Sequence, residues 1–493
     1  MKRARVAVVG GGVSGLALCK FLRDVDPARE RFRVELFDTG ERACGGRLSS
    51  RSHEGEECDH GAQYVTLADP VAIASFARPL VDAGALSTWS DARVGTLSRA
   101  GGFEAFADGA TRYVGVDGFR GVASALEECA DAVRRPQWVG AMTVRRRDAK
   151  SGDVAEWTLA SGDGARAKEL GNFDFVVIAH NGKCAHRLAS TAKESDGRSS
   201  CAKLRDSLRC AFGVRPTGEL ERENKLILSS VWSVIVTFEG ALDLGLQGAH
   251  VIDGGPLSWV SNMSAKRRGD EFAKECANST YVLQSTAEYA RDNKVPQEAV
   301  PAEKALEVME TLVTALEQTV SMPRGSLRSR VKSFRAQLWG AANPLTVCNQ
   351  PCVLDLKSST AAIGDWCTSG PPCVESAVLS AYALAKVLDE HFDVAGQRRA
   401  PSGTTKSLDA ARPRWTVPNG AASAQGGFPG TKVPPMREAS AAPTREGGRG
   451  GGRGGRGGGR GRGGRGRGGR NASNGRQAPR TISASVRSAY TPL

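Results

Sequence analysis

Long apolar runs are missing from this sequence: no stretch reaches the ~18 consecutive apolar residues of a membrane-crossing helix, so no membrane partner is expected. Paired metal-ligand cysteines are missing too. Twelve cysteines are scattered without a C-x-x-C, which suits reduced thiols in a reducing compartment. Cys348/Cys352 and Cys367/Cys373 lie close in sequence, but no histidine stands at zinc-finger spacing from them, and no metal is expected. Net charge is absent from the first 400 residues, which carry 50 basic and 50 acidic side chains. The whole +14 sits in 401–493, with 17 Lys+Arg against 3 Asp+Glu, so it does not describe the portion able to fold. A leader has no room, since the first apolar strand starts within five residues of Met1, and the closing Thr-Pro-Leu is not a peroxisomal signal. These absences point to the cytoplasm, with the nucleus open to a chain whose tail is so basic. None of them sets an oligomeric state.

What is present begins at residues 4–22, ARVAVVGGGVSGLALCKFL. Val6-Ala7-Val8-Val9 is an apolar run of the kind that makes a strand buried on both faces. It leads into Gly10-Gly11-Gly12-Val13-Ser14-Gly15, which fits G-x-G-x-x-G, and Leu16, Leu18, Cys19 and Leu22 then start a helical pattern. Gly10 allows the tight turn, Gly12 leaves room for a pyrophosphate, and Gly15 lets helix and strand pack closely. The helix N-terminus offers free N–H groups and a positive dipole end to the phosphates. A second strand, residues 32–37, ends in Asp38, placed to accept from an adenosine ribose at the expected distance of about 20 residues. This is a dinucleotide fingerprint, and by itself it does not separate FAD from a nicotinamide.

Gly45-Gly46-Arg47-Leu48 tips that choice. Two glycines let backbone pass close to a ligand, and Arg47 brings an always-charged donor fork to its phosphates. The run VVGGGVSG…LFDTGERACGGRLSSR, followed by CDHGAQYVT at 58–66, resembles the flavin-dependent amine-oxidase superfamily and, within it, the renalase-like branch. The resemblance implies non-covalent FAD in a Rossmann domain. It implies Ser14, Asp38, Gly46, Arg47, Leu48, Ala62, Gln63 and Tyr64 as flavin contacts, with 59–62 along the isoalloxazine. It also implies a backbone contact to adenine, placed at Val144. An ordinary buried loop remains the alternative for Gln63 and Tyr64, and a structural hydrogen bond for His60. No acid–base pair stands out; His60 and Tyr64 are the only catalytic candidates. Near the end, Thr360–Cys367, Pro371-Pro372-Cys373-Val374-Glu375 and a helix to Leu388 match the superfamily's second flavin signature. There Gly364 shapes the turn, Asp365 would accept a ribitol hydroxyl, and the helix start at Val374 and Glu375 would face the pyrimidine edge. Val374 follows Cys373 where covalent flavin attachment has Tyr. At 338–345, LWGAANPL departs from the family's W-R-Y-A-x-P, which implies a roomier, less charged pocket.

The expected fold is α/β: a Rossmann-type FAD-binding domain (1–70, 136–190, 346–395), an inserted antiparallel-sheet substrate domain (71–135, 191–345) and a disordered tail (396–493). Within this scheme 70–100 reads as helix and loop, and Val122 to Val133 as helix. The tail carries an Arg-Gly repeat with arginines at 449, 453, 456, 460, 462, 465, 467 and 470, a composition that binds RNA by phosphate pairing and guanidinium stacking. A passive extension is the alternative. Two functions follow. One is an FAD oxidoreductase that takes a hydride from a small reduced donor, an amine or a dihydronicotinamide isomer, to flavin N5 and passes electrons to O2. The other is an RNA-associated protein whose flavin fold is a sensor or scaffold.

Overall fold

Four apolar runs of the sequence meet in one sheet. Ala4–Val9 pairs in parallel with Phe32–Phe37 on one side and Phe175–Ile178 on the other. Ala132–Arg134 extends the sheet beyond Phe32–Phe37, and Thr360–Ala362 extends it beyond Phe175–Ile178. Val353–Asp355 closes that edge antiparallel. The computed structural model describes residues 3–162, 164–194, 197–215 and 222–418, all within a unit spanning Met1–Met436. Parallel strands covered on both faces need apolar residues throughout, and Val6, Val8, Val177 and Ile178 are fully buried. Helices Val13–Val25 and Val374–His391 bury their apolar faces in one core, where Phe21 meets Tyr382 edge-on at 5.4 Å. A three-stranded antiparallel sheet, Ala141–Arg147, Val154–Ala160 and Glu169–Phe173, contributes Met142, Trp157 and Phe173 to a second core.

The second large sheet runs Cys210–Phe212, Leu226–Glu239, Asn278–Ser285, Leu257–Asn262, Gly248–Ile252, Val94–Ser98, Gly102–Ala105, with Val331–Pro344 also pairing Leu226–Glu239. It is mostly antiparallel, as expected, but Cys210–Phe212 and Val94–Ser98 join their neighbours in parallel. Helix Ala302–Thr319 packs Val308, Leu312 and Leu316 into this sheet's core. Among the described residues no helix is long and apolar enough to cross a membrane.

Three sequence expectations are corrected. Residues 70–100 hold strands Leu86–Trp89 and Val94–Ser98 after a short helical stretch, because Trp89 and Val94 are buried against Tyr64 and Trp259. The helix expected to reach Val133 stops at Glu127, and Ala132–Arg134 becomes the edge strand beside Phe32–Phe37. The folded portion does not end at 395. Helix Gly403–Ala410 follows, and Trp415 is 3 % exposed in the second core. The Arg-Gly repeat lies outside the described residues.

Candidate dinucleotide-binding site

The glycine turn is stitched on both sides. Gly10 N–H donates to Phe37 O at 2.8 Å, Ala179 N–H to Val9 O at 2.8 Å, and Gly45 N–H to Gly11 O at 2.7 Å. Gly10 has φ +115°, a conformation that needs glycine, and a Cβ at Gly15 would strike Gly10 O. Gly12 differs: a Cβ there would meet nothing within 4 Å. Gly12 is the N-cap of helix Val13–Val25 and supplies no side chain to the first N–H groups. Gly45 bridges to it, and Gly46 (φ +56°) lies beside it. Together these residues leave an open cradle of backbone donors at a helix N-terminus, the arrangement that takes a phosphate.

Asp38 is held rather than free. Its Oδ2 accepts from Gly11 N–H at 2.7 Å and its Oδ1 from Gly40 N–H at 2.6 Å, while burial pushes its carboxyl up against those two bonds. Each oxygen keeps a lone pair for a hydroxyl. The chain beside it is Arg134–Gln137, since Asp38 N–H donates to Arg134 O and Gln137 N–H donates to Asp38 O at 2.7 Å. Val144, the position expected at adenine, pairs with Trp157 on the antiparallel sheet and packs on the second core.

Arg47 and Asp365 meet across the two signatures. Arg47 Nη2 and Nη1 donate to the two carboxylate oxygens at 2.8 and 2.9 Å, and Nη1 also donates to Ala342 O at 2.7 Å. Asp365 is 2 % exposed and Arg47 remains partly open, so the guanidinium is the accessible member of the pair. Asn181 Nδ2 and Asn343 Oδ1 lie in adjoining segments, a Cβ on Gly182 falling 3.6 Å from Ala341. Both atoms are buried without a hydrogen-bond partner among the described residues. Ser14 Oγ donates weakly to Ala179 O at 3.4 Å. Val374 and Cys373 are buried at the start of the second helix, and Leu48 is buried beside the glycines. The Glu375 carboxylate accepts from Asp69 N–H at 2.7 Å.

Segment 59–64 is stitched to 45–48: Ala62 N–H donates to Arg47 O at 2.8 Å. Its side chains are engaged within the protein. Gln63 Nε2 donates to Asp59 O at 2.6 Å, and its Oε1 accepts from Ser261 at 2.9 Å. Tyr64 is fully buried, 3.0 Å from His250 Nε2 through its hydroxyl, and burial raises its phenol. His60 stacks on Trp339 at 5.3 Å, with Arg51 Nε 3.2 Å from its Nε2; burial first and the Arg51 charge next push it down to about 3. It therefore stays neutral at ordinary pH. Gly340 does not open the expected extra room. Gln297 Oε1 accepts from its N–H at 3.0 Å and fills the space where a Cβ would go.

Sequence reasoning missed a buried ion cluster behind this segment. Asp59 Oδ2 accepts from Lys266 Nζ at 2.8 Å and Arg267 Nη2 at 2.5 Å, and its Oδ1 accepts from Ser50 Oγ at 2.6 Å and Phe119 N–H at 3.0 Å. Asp59 and Lys266 are both fully buried. Burial outweighs the Asp59 charge and lowers the Lys266 ammonium to about 8; the two cations overcome burial and hold Asp59 at about 2. The signal was present as Lys266-Arg267 shortly after the β-prone run 257–263, but its partner lies some 200 residues away.

The model of the NAD(P)-binding Rossmann-like domain matches residues 8–78. The chain is similar in fold to reduced UDP-galactopyranose mutase, at 9% identity over 81% of this chain and 98% of that one, with TM-score 0.52. An oxidoreductase from Methanosarcina mazei matches 78% of this chain and 100% of its own at 12% identity and TM-score 0.50. A protein from Exiguobacterium sp. 255-15, provisionally assigned as a protoporphyrinogen oxidase, matches 79% and 99% at 11% identity, TM-score 0.50. At these identities the shared property is the fold: mixed α/β with a Rossmann-type domain.

Proposed function

We propose that the chain is an FAD-dependent oxidoreductase of the renalase-like type, binding its flavin non-covalently and oxidising a small reduced donor. The open cradle over Gly12, at an uncapped helix N-terminus and beside Gly45-Gly46-Arg47, carries this reading. When bound, FAD supplies the hydride acceptor and the route of the electrons to O2. Gly10, Gly11, Gly12, Ser14 and Gly15 would hold the pyrophosphate, and Asp38 the adenosine ribose. Arg47 would turn from Asp365 toward phosphate, freeing that carboxylate for a ribitol hydroxyl. The unpartnered Asn181 amide and Asn343 carbonyl suit a polar ligand in the same cleft. Gly46, Leu48, Ala62, Gln63 and Tyr64 would line it with backbone, because the Gln63 and Tyr64 side chains are committed elsewhere. Neutral His60 and protonated Tyr64 hold their protons at ordinary pH, which suits a donor that gives up a hydride without a protein base.

The two cations near Gly182 support an anionic donor over a cationic amine. Lys183 and Lys294 both lie over the exposed Phe212 ring, at 5.6 and 4.0 Å from its centroid, next to Gly182 and close in sequence to Gln297. Two ammonium groups held together attract a phosphate-bearing dihydronicotinamide isomer and repel an ammonium. Anaerobic titration of the flavin-loaded chain tests this: the nucleotide donor should bleach the flavin, and Lys183→Ala/Lys294→Ala should raise its KM about tenfold, equivalent to ~1.4 kcal/mol. Bleaching by amines alone would overturn the choice of donor. RNA binding through Arg449–Arg470 is a second, independent activity supported by the charge of that segment.

A further inference from the structure

We infer that Trp415, beyond the last Rossmann helix, positions the turn at Asp365–Trp366. The inference rests on the flavin reading above. The chain leaving helix Val374–His391 is fastened by side-chain bonds along its length. Arg398 donates to Val154 O at 2.8 Å and to Asp174 O at 2.9 Å, Glu390 accepts from Thr405 Oγ1 at 2.7 Å, and Asp409 accepts from Leu356 N–H at 2.8 Å. It ends in a short bridge in which Val347 and Thr416 exchange backbone bonds at 2.8 and 2.9 Å, and Asn349 Nδ2 donates to Thr416 Oγ1 at 2.9 Å. This delivers Trp415 to Trp366, with ring centroids 5.5 Å apart and planes at 34°.

Trp366 has little freedom to do without that partner. It is 1 % exposed, its carbonyl accepts from Cys348 N–H at 3.0 Å, and a Cβ at Gly364 would strike its indole. Asp365 sits between Gly364 and Trp366, and its carboxylate is the one paired with Arg47. Removing the Trp415 ring leaves Trp366 without its packing partner and loosens the carboxylate at the ribitol position. A loose tail has no reason to bury an indole. This one completes the second flavin signature from outside the Rossmann repeat.

The test uses the full chain with Trp415→Ala, Trp415→Phe and, as a truncation elsewhere in the same core, Leu159→Ala. Binding of FAD is followed by fluorescence quenching and by the visible circular dichroism of the bound flavin. We expect Trp415→Ala to weaken FAD binding about tenfold and alter the dichroism, Trp415→Phe about threefold, and Leu159→Ala to lower the unfolding temperature with affinity within about twofold. Wild-type affinity and spectrum in Trp415→Ala, or in Trp415→Phe should the alanine variant not fold, would overturn the inference while the flavin reading stands. Equal weakening by Leu159→Ala would overturn it too, reducing Trp415 to general packing. Failure of the wild type to take up FAD would overturn both.

Discussion

His391 is 6 % exposed, packs against Phe175 and Phe392, and has no hydrogen-bond partner on either ring nitrogen among the described residues. Burial, with Arg398 adding to it, pushes its pKa down to about 4, and His60 and His250 are pushed down to about 3 by burial and by Arg51 and Arg112. All three are depressed below the ordinary value of 6.5, so the unfolded chain takes up protons first as pH falls. Their contribution to stability is complete above pH ~6.5 and drains away toward 4 and then 3, at up to about 1.4 kcal/mol per pH unit for each. Denaturant unfolding at pH 7 and pH 5 should show that fall, and His391→Phe should flatten it without loss at pH 7. An unchanged slope would assign the acid sensitivity elsewhere. A second residue-scale expectation concerns Lys266. Replacing it by Met leaves Asp59 buried with one cation fewer, and equilibrium unfolding should show a loss of about 3 kcal/mol. A change under ~0.5 kcal/mol would mean that Arg267 and Ser50 suffice.

Whole elements were legible where local sequence carried the cause. Val6–Val9 read as a buried strand because a parallel strand must be apolar on both faces, and helix Val13–Val25 showed its pattern within its own residues. Ala132–Arg134 was illegible because Phe32–Phe37, far back in the chain, makes it a strand. Within the site, the glycine turn and Arg47 were singled out by residue type and spacing, and Asp365 by the resemblance. The Arg47–Asp365 contact, the Lys266–Asp59 pair and the Gln297 plug could not, because each joins distant segments. The segment 396–418 was mistaken for tail on composition, although Arg398, Asp409 and Trp415 tie it down. Ending the chain after Ala395 should therefore cost about 3–5 kcal/mol of stability, the scale of removing one buried Trp. Ending it after Pro418 keeps the Arg398, Asp409 and Trp415 contacts and serves as the comparison. Thermal unfolding of the two truncations decides, and equal stability would mean that 396–418 adds nothing to the fold.

At the scale of the molecule, charge is unevenly divided along the sequence. Residues 1–400 are balanced, and the excess of +14 lies in 401–493. Cutting after 418 should abolish salt-sensitive RNA binding and leave flavin binding intact; retention of RNA by the shortened chain would place that activity on the folded portion. The central claim concerns the cradle, and Gly12 separates fold from function there. An alanine fits its backbone (φ −72°) and meets no protein atom, yet it occupies the space assigned to the pyrophosphate. The decisive measurement is an FAD-binding titration of wild type and Gly12→Ala side by side. The account predicts that the wild type takes up FAD and acquires the visible flavin band, whereas Gly12→Ala folds with the same unfolding temperature and binds at least about tenfold more weakly. A wild type that stays colourless in excess FAD, or a variant that binds equally well, would contradict it.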